Sequence, residues 1–180
     1  MGWIIAVDAG TTGVRAVATD VDARKEATAP VSSYREFPQY FPRPGWVEHD
    51  ADEIWAATET VLGDVIEKLG ATPSPGHGAP TGGPSGTVAA IGITNQRETL
   101  VAWDARDGRP RHRAIVWQDR RTADRCTELE LNGELPIIRE RTGLVLDPYF
   151  SATKAEWLLG PGEVRSDRHL RFGTIDSWLL

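Results

Sequence analysis

A group of polar side chains directly follows an apolar run in the middle of the chain. The run is Val88-Ala89-Ala90-Ile91-Gly92-Ile93, and the polar segment is Thr94-Asn95-Gln96-Arg97-Glu98-Thr99. A buried strand that ends in this way places a guanidinium, a carboxylate and two amides at the rim of a sheet, where small ligands of open α/β folds bind. Arg97 offers only donors and Glu98 only acceptors, so the pair suits a molecule with neighbouring hydroxyls, such as a polyol. The alternative is an ion pair at the surface, where the strand ends.

A second polar segment, Asp8-Ala9-Gly10-Thr11-Thr12-Gly13, follows the apolar residues 3–7. Its glycines let the backbone approach a phosphate closely, and its threonine hydroxyls add donors. Asp8 could hold Mg²⁺ directly or through water, and Arg15 could reach the phosphates. No Gly-Lys-Ser/Thr follows, which excludes a Walker loop. The same residues also suit an ordinary hairpin turn, so both interpretations stay open.

Strands must position these two segments. Residues 3–7 and 14–20 predict two strands around the first turn, and the segment to about residue 37 predicts a third, after a turn signal at 22–25. No helix follows the glycines, so this opening is a β-meander and no Rossmann unit. Residues 88–93 predict the strand that leads to Arg97 and Glu98.

The remaining elements are predicted from periodicity and turn residues. Apolar residues at helical spacing predict a helix over 51–69. Residues 71–86 contain mainly Pro, Gly, Ser, Thr and Ala, which is typical of a flexible surface insertion. Further predicted elements are strands at 100–103 and 114–117, helices at 122–131, 136–142 and 151–159, and a turn at 147–150.

Composition limits the class of protein. The chain has 180 residues and a net charge of -6, which argues against a nucleic-acid-binding surface, where a basic excess is expected. The single Cys126 excludes an internal disulfide, and the four His residues are too scattered for a zinc site. No stretch reaches the roughly 18 apolar residues of a membrane span, and no signal peptide is recognisable. These features predict a cytoplasmic protein without a membrane span.

Four segments together resemble the glycerol kinases of the FGGY carbohydrate kinase family. They are Asp-Ala-Gly-Thr-Thr-Gly-Val-Arg (8–15), Pro-Gly-Trp-Val-Glu-His-Asp (44–50), Ile-Gly-Ile-Thr-Asn-Gln-Arg-Glu-Thr (91–99) and Ala-Ile-Val-Trp-Gln-Asp-Arg-Arg-Thr (114–122). Residues 142–151 and 172–179 extend the resemblance, which covers nearly all of the chain except 71–86. Asn-Gln-Arg-Glu-Thr and Asp-Pro-Tyr-Phe-Ser distinguish glycerol kinases from other sugar kinases better than the opening turn does.

The resemblance implies an actin/hexokinase-like (ribonuclease H-like) α/β fold with a mixed sheet, in which residues 1–180 form an incomplete first domain and the second domain is absent. It implies ATP-dependent phosphorylation of glycerol to glycerol 3-phosphate, with Mg²⁺, and a homo-oligomer for the full-length protein. The residues carried over are Arg97, Glu98 and Tyr149 on the glycerol hydroxyls, Trp117 against its carbon chain, Thr11, Thr12, Gly13 and Arg15 on the ATP phosphates, and Asp8 near the metal. In an arbitrary chain, Tyr149 and Trp117 would more often be core aromatics.

Two departures from the family pattern stand out. Glycerol kinases commonly have Ser-Ser where this chain has Gly13-Val14, so we expect altered nucleotide affinity more than lost chemistry. The family's catalytic aspartate lies beyond residue 180, so no catalytic base is assigned here and the chain alone is expected to be inactive. Two alternatives remain: a kinase for another polyol or sugar, and a truncated, non-catalytic binding module.

Overall fold

A computed structural model describes residues 2–21, 30–70 and 86–180, and the chain divides into two compact units. The first unit contains Met1–Phe37 and Asp52–Asn95, and the second contains Pro38–Ala51 and Gln96–Leu180. The insertion predicted at 71–86 falls almost wholly outside the described residues, as does the turn predicted at 22–25.

The first unit is built on a four-stranded mixed sheet. Its strands are β1 (Gly2–Ala9), β2 (Gly13–Asp20), β3 (Val31–Glu36) and β5 (Thr87–Asn95), in the order β3-β2-β1-β5. The pairs β1–β2 and β2–β3 are antiparallel, whereas β1 and β5 are parallel. The predicted β-meander and the mixed sheet are therefore confirmed. The strand predicted at 88–93 is present as β5, but the prediction that it is buried is wrong, since its residues are mostly exposed.

The helix α1 (Ala51–Lys68) covers one face of this sheet and confirms the helix predicted over 51–69. Strand β1 alternates between buried and exposed residues, as expected when only one face is covered. Ser33 Oγ donates to Asp64 Oδ2 at 2.6 Å, and Lys68 Nζ donates to the Ser32 carbonyl at 2.8 Å, which places β3 beside the helix. Asp8 lies on the opposite, exposed face.

The second unit combines short strands with helices. Its elements are β4 (Glu48–His49), β6 (Val101–Asp104), β7 (Ala114–Ile115), α2 (Ala123–Leu131), α3 (Leu135–Thr142), α4 (Ser151–Leu159), β8 (Leu170–Gly173) and α5 (Ile175–Leu179). Strand β4 pairs with β7 and β6 with β8, both antiparallel. The three predicted helices are confirmed within a residue of their expected starts. The strand predicted at 114–117 is shorter, because a turn follows Ile115, and β8 and α5 were not predicted.

The core of the second unit joins strands and helix α4. Leu100, Ala102, Ile115, Leu158 and Val164 form one buried apolar cluster. None of the helices in the described part of the chain combines the length and apolar content that crossing a membrane requires.

Candidate functional site

The polar segment after β5 forms a turn that buried hydrogen bonds hold. Thr99 Oγ1 donates to Gln96 Oε1 at 2.9 Å, and Gln96 Nε2 lies 3.2 Å from His49 Nδ1. The backbone N–H of Trp117 donates to Thr99 Oγ1 at 3.2 Å. Thr99, Gln96 and His49 are all buried, so this chain of contacts ties the turn to β4 and to the residues after β7. Burial lowers the pKa of His49 to about 4, so its imidazole is neutral at pH 7.

Glu98 occupies an unusual backbone conformation in this turn. Its φ of 64° lies in the left-handed region, which costs a residue with a side chain roughly 1–2 kcal/mol. Its carboxylate atom Oε2 accepts two hydrogen bonds from Ser151, from the backbone N–H at 2.9 Å and from Oγ at 2.7 Å. Backbone strain at a non-glycine residue is common where a side chain must be aimed at a ligand.

Arg97 has an exposed side chain beside Glu98. Among the ion pairs of the described residues, none joins Arg97 to Glu98; the Glu98 carboxylate is bound by Ser151 instead. The alternative of an Arg97–Glu98 ion pair at the strand end is therefore not realised.

Lys154 joins Glu98 to a second predicted substrate residue. Its Nζ donates to the carbonyl oxygens of Glu98 and Tyr149, both at 2.6 Å, and its side chain is 0% exposed. Burial lowers the pKa of Lys154 to about 8, although the neighbouring Glu98 carboxylate acts in the opposite direction. The ammonium group therefore remains mainly charged at pH 7, and it holds the two carbonyls together.

Trp117 and Tyr149 form an aromatic pair in this region. Their ring centroids are 6.0 Å apart with an interplanar angle of 71°, an edge-to-face arrangement. Both side chains are half-buried, and neither residue belongs to the buried core. The interpretation of Trp117 and Tyr149 as core aromatics is therefore not supported. Glu98, Tyr149 and Trp117 are thus brought together, and Arg97 adjoins them in the chain.

The predicted phosphate-binding turn lies in the first unit. The N–H of Gly10 donates to the Gly13 carbonyl at 3.0 Å and closes the turn between β1 and β2. On the strands beside it, Asp8 is paired with Arg15, and Arg15 is paired with Tyr34. All three are exposed, so a carboxylate, a guanidinium and a phenol form one row on the open face of the sheet.

Gly13 packs so closely against β3 that it has no room for a side chain. A Cβ atom at this position would lie 2.5 Å from the Arg35 carbonyl oxygen and 2.7 Å from the Tyr34 hydroxyl. Tyr34 also lies over the turn, since its hydroxyl is 3.4 Å from Thr12 Oγ1 and the Arg15 guanidinium is 5.3 Å from its ring centroid. Glycine at position 13, where the resemblance leads us to expect serine, therefore allows β3 to pack closely against β2 in this protein.

Asp8 is the predicted ligand for a metal ion at the turn. In residues 2–21, 30–70 and 86–180, no three His, Cys, Asp or Glu side chains are grouped so that they could hold an ion. Asp8 offers a single exposed carboxylate at the end of β1. This fits Mg²⁺, which keeps several waters and is commonly bound by one or two carboxylates together with substrate phosphates.

The structure adds Ser151, Lys154 and Tyr34, which were not among the predicted site residues. Lys154 carried a detectable signal: it lies four residues before Leu158, on the face of α4 that is buried, where a lysine is out of place. Ser151 was part of the Asp-Pro-Tyr-Phe-Ser segment but had no assigned role. The contact between Tyr34 and the turn depends on the pairing of β2 with β3 and has no local signal.

One cavity, of about 290 Å³, lies elsewhere in the second unit. Residues of α2 and α4 line it, together with Arg121, Gly160 and Pro161. None of the four predicted substrate residues borders it, so it does not enlarge the candidate site.

Comparison with known proteins identifies relatives along the whole chain. Residues 3–180 match the FGGY family of carbohydrate kinases, N-terminal domain. A glycerol kinase of Rhodopseudomonas palustris is 47% identical over 184 residues, which is 100% of this chain and 34% of that protein. A glycerol kinase of Lactobacillus acidophilus is 46% identical, over 99% of this chain and 33% of its own length. The chain therefore spans about a third of the length of the curated relatives it matches.

Solved structures with the same fold are also found. The crystal structure of Plasmodium falciparum glycerol kinase with ADP has a TM-score of 0.84 at 30% identity and covers 99% of this chain and 33% of that one. The gluconate kinase of Lactobacillus acidophilus has a TM-score of 0.77 at 23% identity, with 99% and 32% covered, and supports the fold alone. From the match over residues 3–180, we conclude that the chain belongs to the FGGY family of carbohydrate kinases.

Proposed function

We propose that the full-length protein is a glycerol kinase, which transfers the γ-phosphoryl group of ATP to glycerol and forms glycerol 3-phosphate. In this proposal, the present chain supplies the glycerol-binding residues and the phosphate-binding turn. The observation that carries it is the grouping of Glu98, Tyr149 and Trp117 around Lys154 and Thr99, next to an Arg97 that forms no ion pair with Glu98. The 47% identity to a glycerol kinase supports the choice of substrate.

Glycerol would be bound by complementary hydrogen bonds. Arg97 can donate to hydroxyl oxygens, and Glu98 can accept from hydroxyl protons. Ser151 donates both of its hydrogen bonds to Glu98 Oε2, and in this proposal Oε1 accepts from the substrate. The edge-to-face pair of Trp117 and Tyr149 would cover the carbon chain, and the Tyr149 hydroxyl would add a further polar contact.

The nucleotide phosphates would lie at the turn between β1 and β2, with the N–H groups and hydroxyls of Thr11 and Thr12, the backbone of Gly13 and the guanidinium of Arg15 as donors. Mg²⁺ held by Asp8 would offset negative charge on the phosphates. Phosphoryl transfer needs mainly positioning and charge neutralisation, with the substrate hydroxyl in line with the leaving oxygen. We assign the general base to sequence outside this chain, as the resemblance to the family implies.

The test is a coupled assay of the purified full-length protein with ATP and Mg²⁺. The substrates are glycerol, other polyols, gluconate and ketoses such as xylulose. We expect kcat/KM for glycerol to exceed that for every other substrate. A preference for a ketose or gluconate would assign the protein to another kinase of the same family. Binding of nucleotide without any phosphorylation would favour the non-catalytic module. The cytoplasmic location and the homo-oligomeric state stay predictions, and light scattering measures the latter.

A further inference from the structure

The side chain of Lys154 is fully buried, and burial of an ammonium group is costly. An ammonium group loses its hydration on burial, and it is tolerated only where charge and hydrogen bonds compensate. Here the compensation comes from the carbonyl oxygens of Glu98 and Tyr149, at 2.6 Å each, and from the nearby carboxylate of Glu98. Both carbonyls belong to residues that the proposed function places on glycerol.

The contact at Glu98 determines where its carboxylate points. Because Glu98 has a φ of 64°, its backbone would relax to an ordinary conformation unless surrounding contacts opposed this. Lys154 holds the carbonyl on one side of the residue, and Ser151 holds Oε2 on the other. The two contacts come from the first turn of the same helix, α4, so they form one rigid support.

The contact at Tyr149 acts on the second substrate residue. Tyr149 lies in the turn just before α4, where its N–H donates to Asp147 Oδ1 at 2.8 Å. The Lys154 ammonium binds the carbonyl of Tyr149 and lies 6.0 Å from the centroid of its ring. The distance between the Glu98 and Tyr149 backbones is therefore set by one side chain.

We propose that Lys154, together with Ser151, is a positioning residue that holds Glu98 and Tyr149 at the separation that binds glycerol. This inference rests on the proposed function, because glycerol is the ligand that the positioned groups bind. Neither residue needs to touch the substrate. Their effect is expected in glycerol binding and in the alignment of its hydroxyl, since small displacements of positioning groups reduce rates strongly.

The test is steady-state kinetics of the full-length protein with Lys154→Met, which keeps an unbranched apolar side chain and removes the donors. We expect the KM for glycerol to rise about 10- to 100-fold while the KM for ATP stays close to wild type. Lys68→Met is the matched control, because Lys68 also donates to a backbone carbonyl, that of Ser32, but lies on the exposed side of α1. A Lys154→Met protein with lowered thermal stability and an unchanged KM for glycerol would show a structural role only and overturn the inference.

A second variant keeps the test decisive if Lys154→Met does not fold. Ser151→Ala removes one of the two donors to Glu98 and keeps the backbone N–H. We expect it to raise the KM for glycerol, and we expect Ser151→Thr, which retains the hydroxyl, to restore it; wild-type KM values for both would contradict the inference. A wild-type protein that phosphorylates no glycerol refutes the proposed function instead, so the two failures are distinguishable.

Discussion

Among single residues, substitution of the hydrogen-bond acceptor Glu98 tests the proposed substrate site most directly. Glu98→Ala removes a charged hydrogen-bond acceptor and leaves the Ser151 donors without their partner. Loss of such a bond is worth about 1–3 kcal/mol, so kcat/KM for glycerol should fall about 5- to 150-fold. The assay is initial-rate kinetics of the full-length protein.

The matched control for this substitution is Glu163→Ala. Glu163 is the other non-glycine residue in the described ranges with positive φ, at 53°, and its side chain is exposed. The two substitutions thus change the same residue type in the same backbone region. Equal and small effects of both on glycerol kinetics would remove Glu98 from the site.

Gly13 provides a second residue-scale prediction, on the phosphate side. Gly13→Ala would place a Cβ atom 2.5 Å from a backbone oxygen of β3, which cannot move without disturbing the β2–β3 pairing. We expect destabilisation of about 1–3 kcal/mol, the range for overpacking, as measured by chemical denaturation. Gly92→Ala is the control, since a Cβ there meets nothing within 4 Å. If Gly13→Ala leaves the free energy of unfolding unchanged, β3 can shift to make room for the added Cβ atom. The presence of glycine where the family commonly has serine would then need another explanation.

At the scale of elements, a buried ion-pair group connects β4, the segment after β7 and α4. The Arg121 side chain is 0% exposed, its guanidinium pairs with Glu48 and Asp119 at 2.8 Å each, and it contacts the rings of Trp46 and Trp157. The same Asp119 accepts a hydrogen bond from the backbone of Val47 at 2.6 Å. This group holds the segment that carries Trp117.

Arg121→Met should therefore destabilise the protein strongly. Removing one partner of a buried ion pair leaves uncompensated carboxylates, which costs about 3–5 kcal/mol. The control is Arg125→Met on α2, whose ion pairs with Glu128 and Glu156 are largely exposed and are worth at most about 1 kcal/mol. Urea unfolding of the two variants measures the difference, and similar midpoints would contradict the role given to Arg121.

The helices and strands differ in how well they could be predicted from the sequence. Periodicity and turn residues located α1 and α4, because their signals lie within a short stretch of chain. Strand β8 was missed, since its four residues are stabilised by β6, which lies far away in the sequence. The partners of Lys154 could not be predicted for the same reason: Glu98 and Tyr149 lie on separate turns, and only the folded chain brings them together.

In the proposed function, these 180 residues supply part of what the reaction of the full-length protein needs. The group of residues around Glu98 and Tyr149 would bind the substrate, and the turn at 8–15 would bind the phosphates. The chain spans 34% of a related glycerol kinase, and no general base is assigned within it. In the proposed function, binding groups without the base and without the remaining contacts to the nucleotide would not lower the barrier to phosphoryl transfer sufficiently.

We therefore predict that the purified 180-residue chain does not phosphorylate glycerol, whereas the full-length protein does. The measurement is the formation of glycerol 3-phosphate from radiolabelled ATP, with circular dichroism to confirm that the isolated chain is folded. The full-length protein at the same molar concentration is the positive control. Glycerol 3-phosphate formed by the folded chain alone would place the base among its own carboxylates, and replacing each of these by its amide would then identify it.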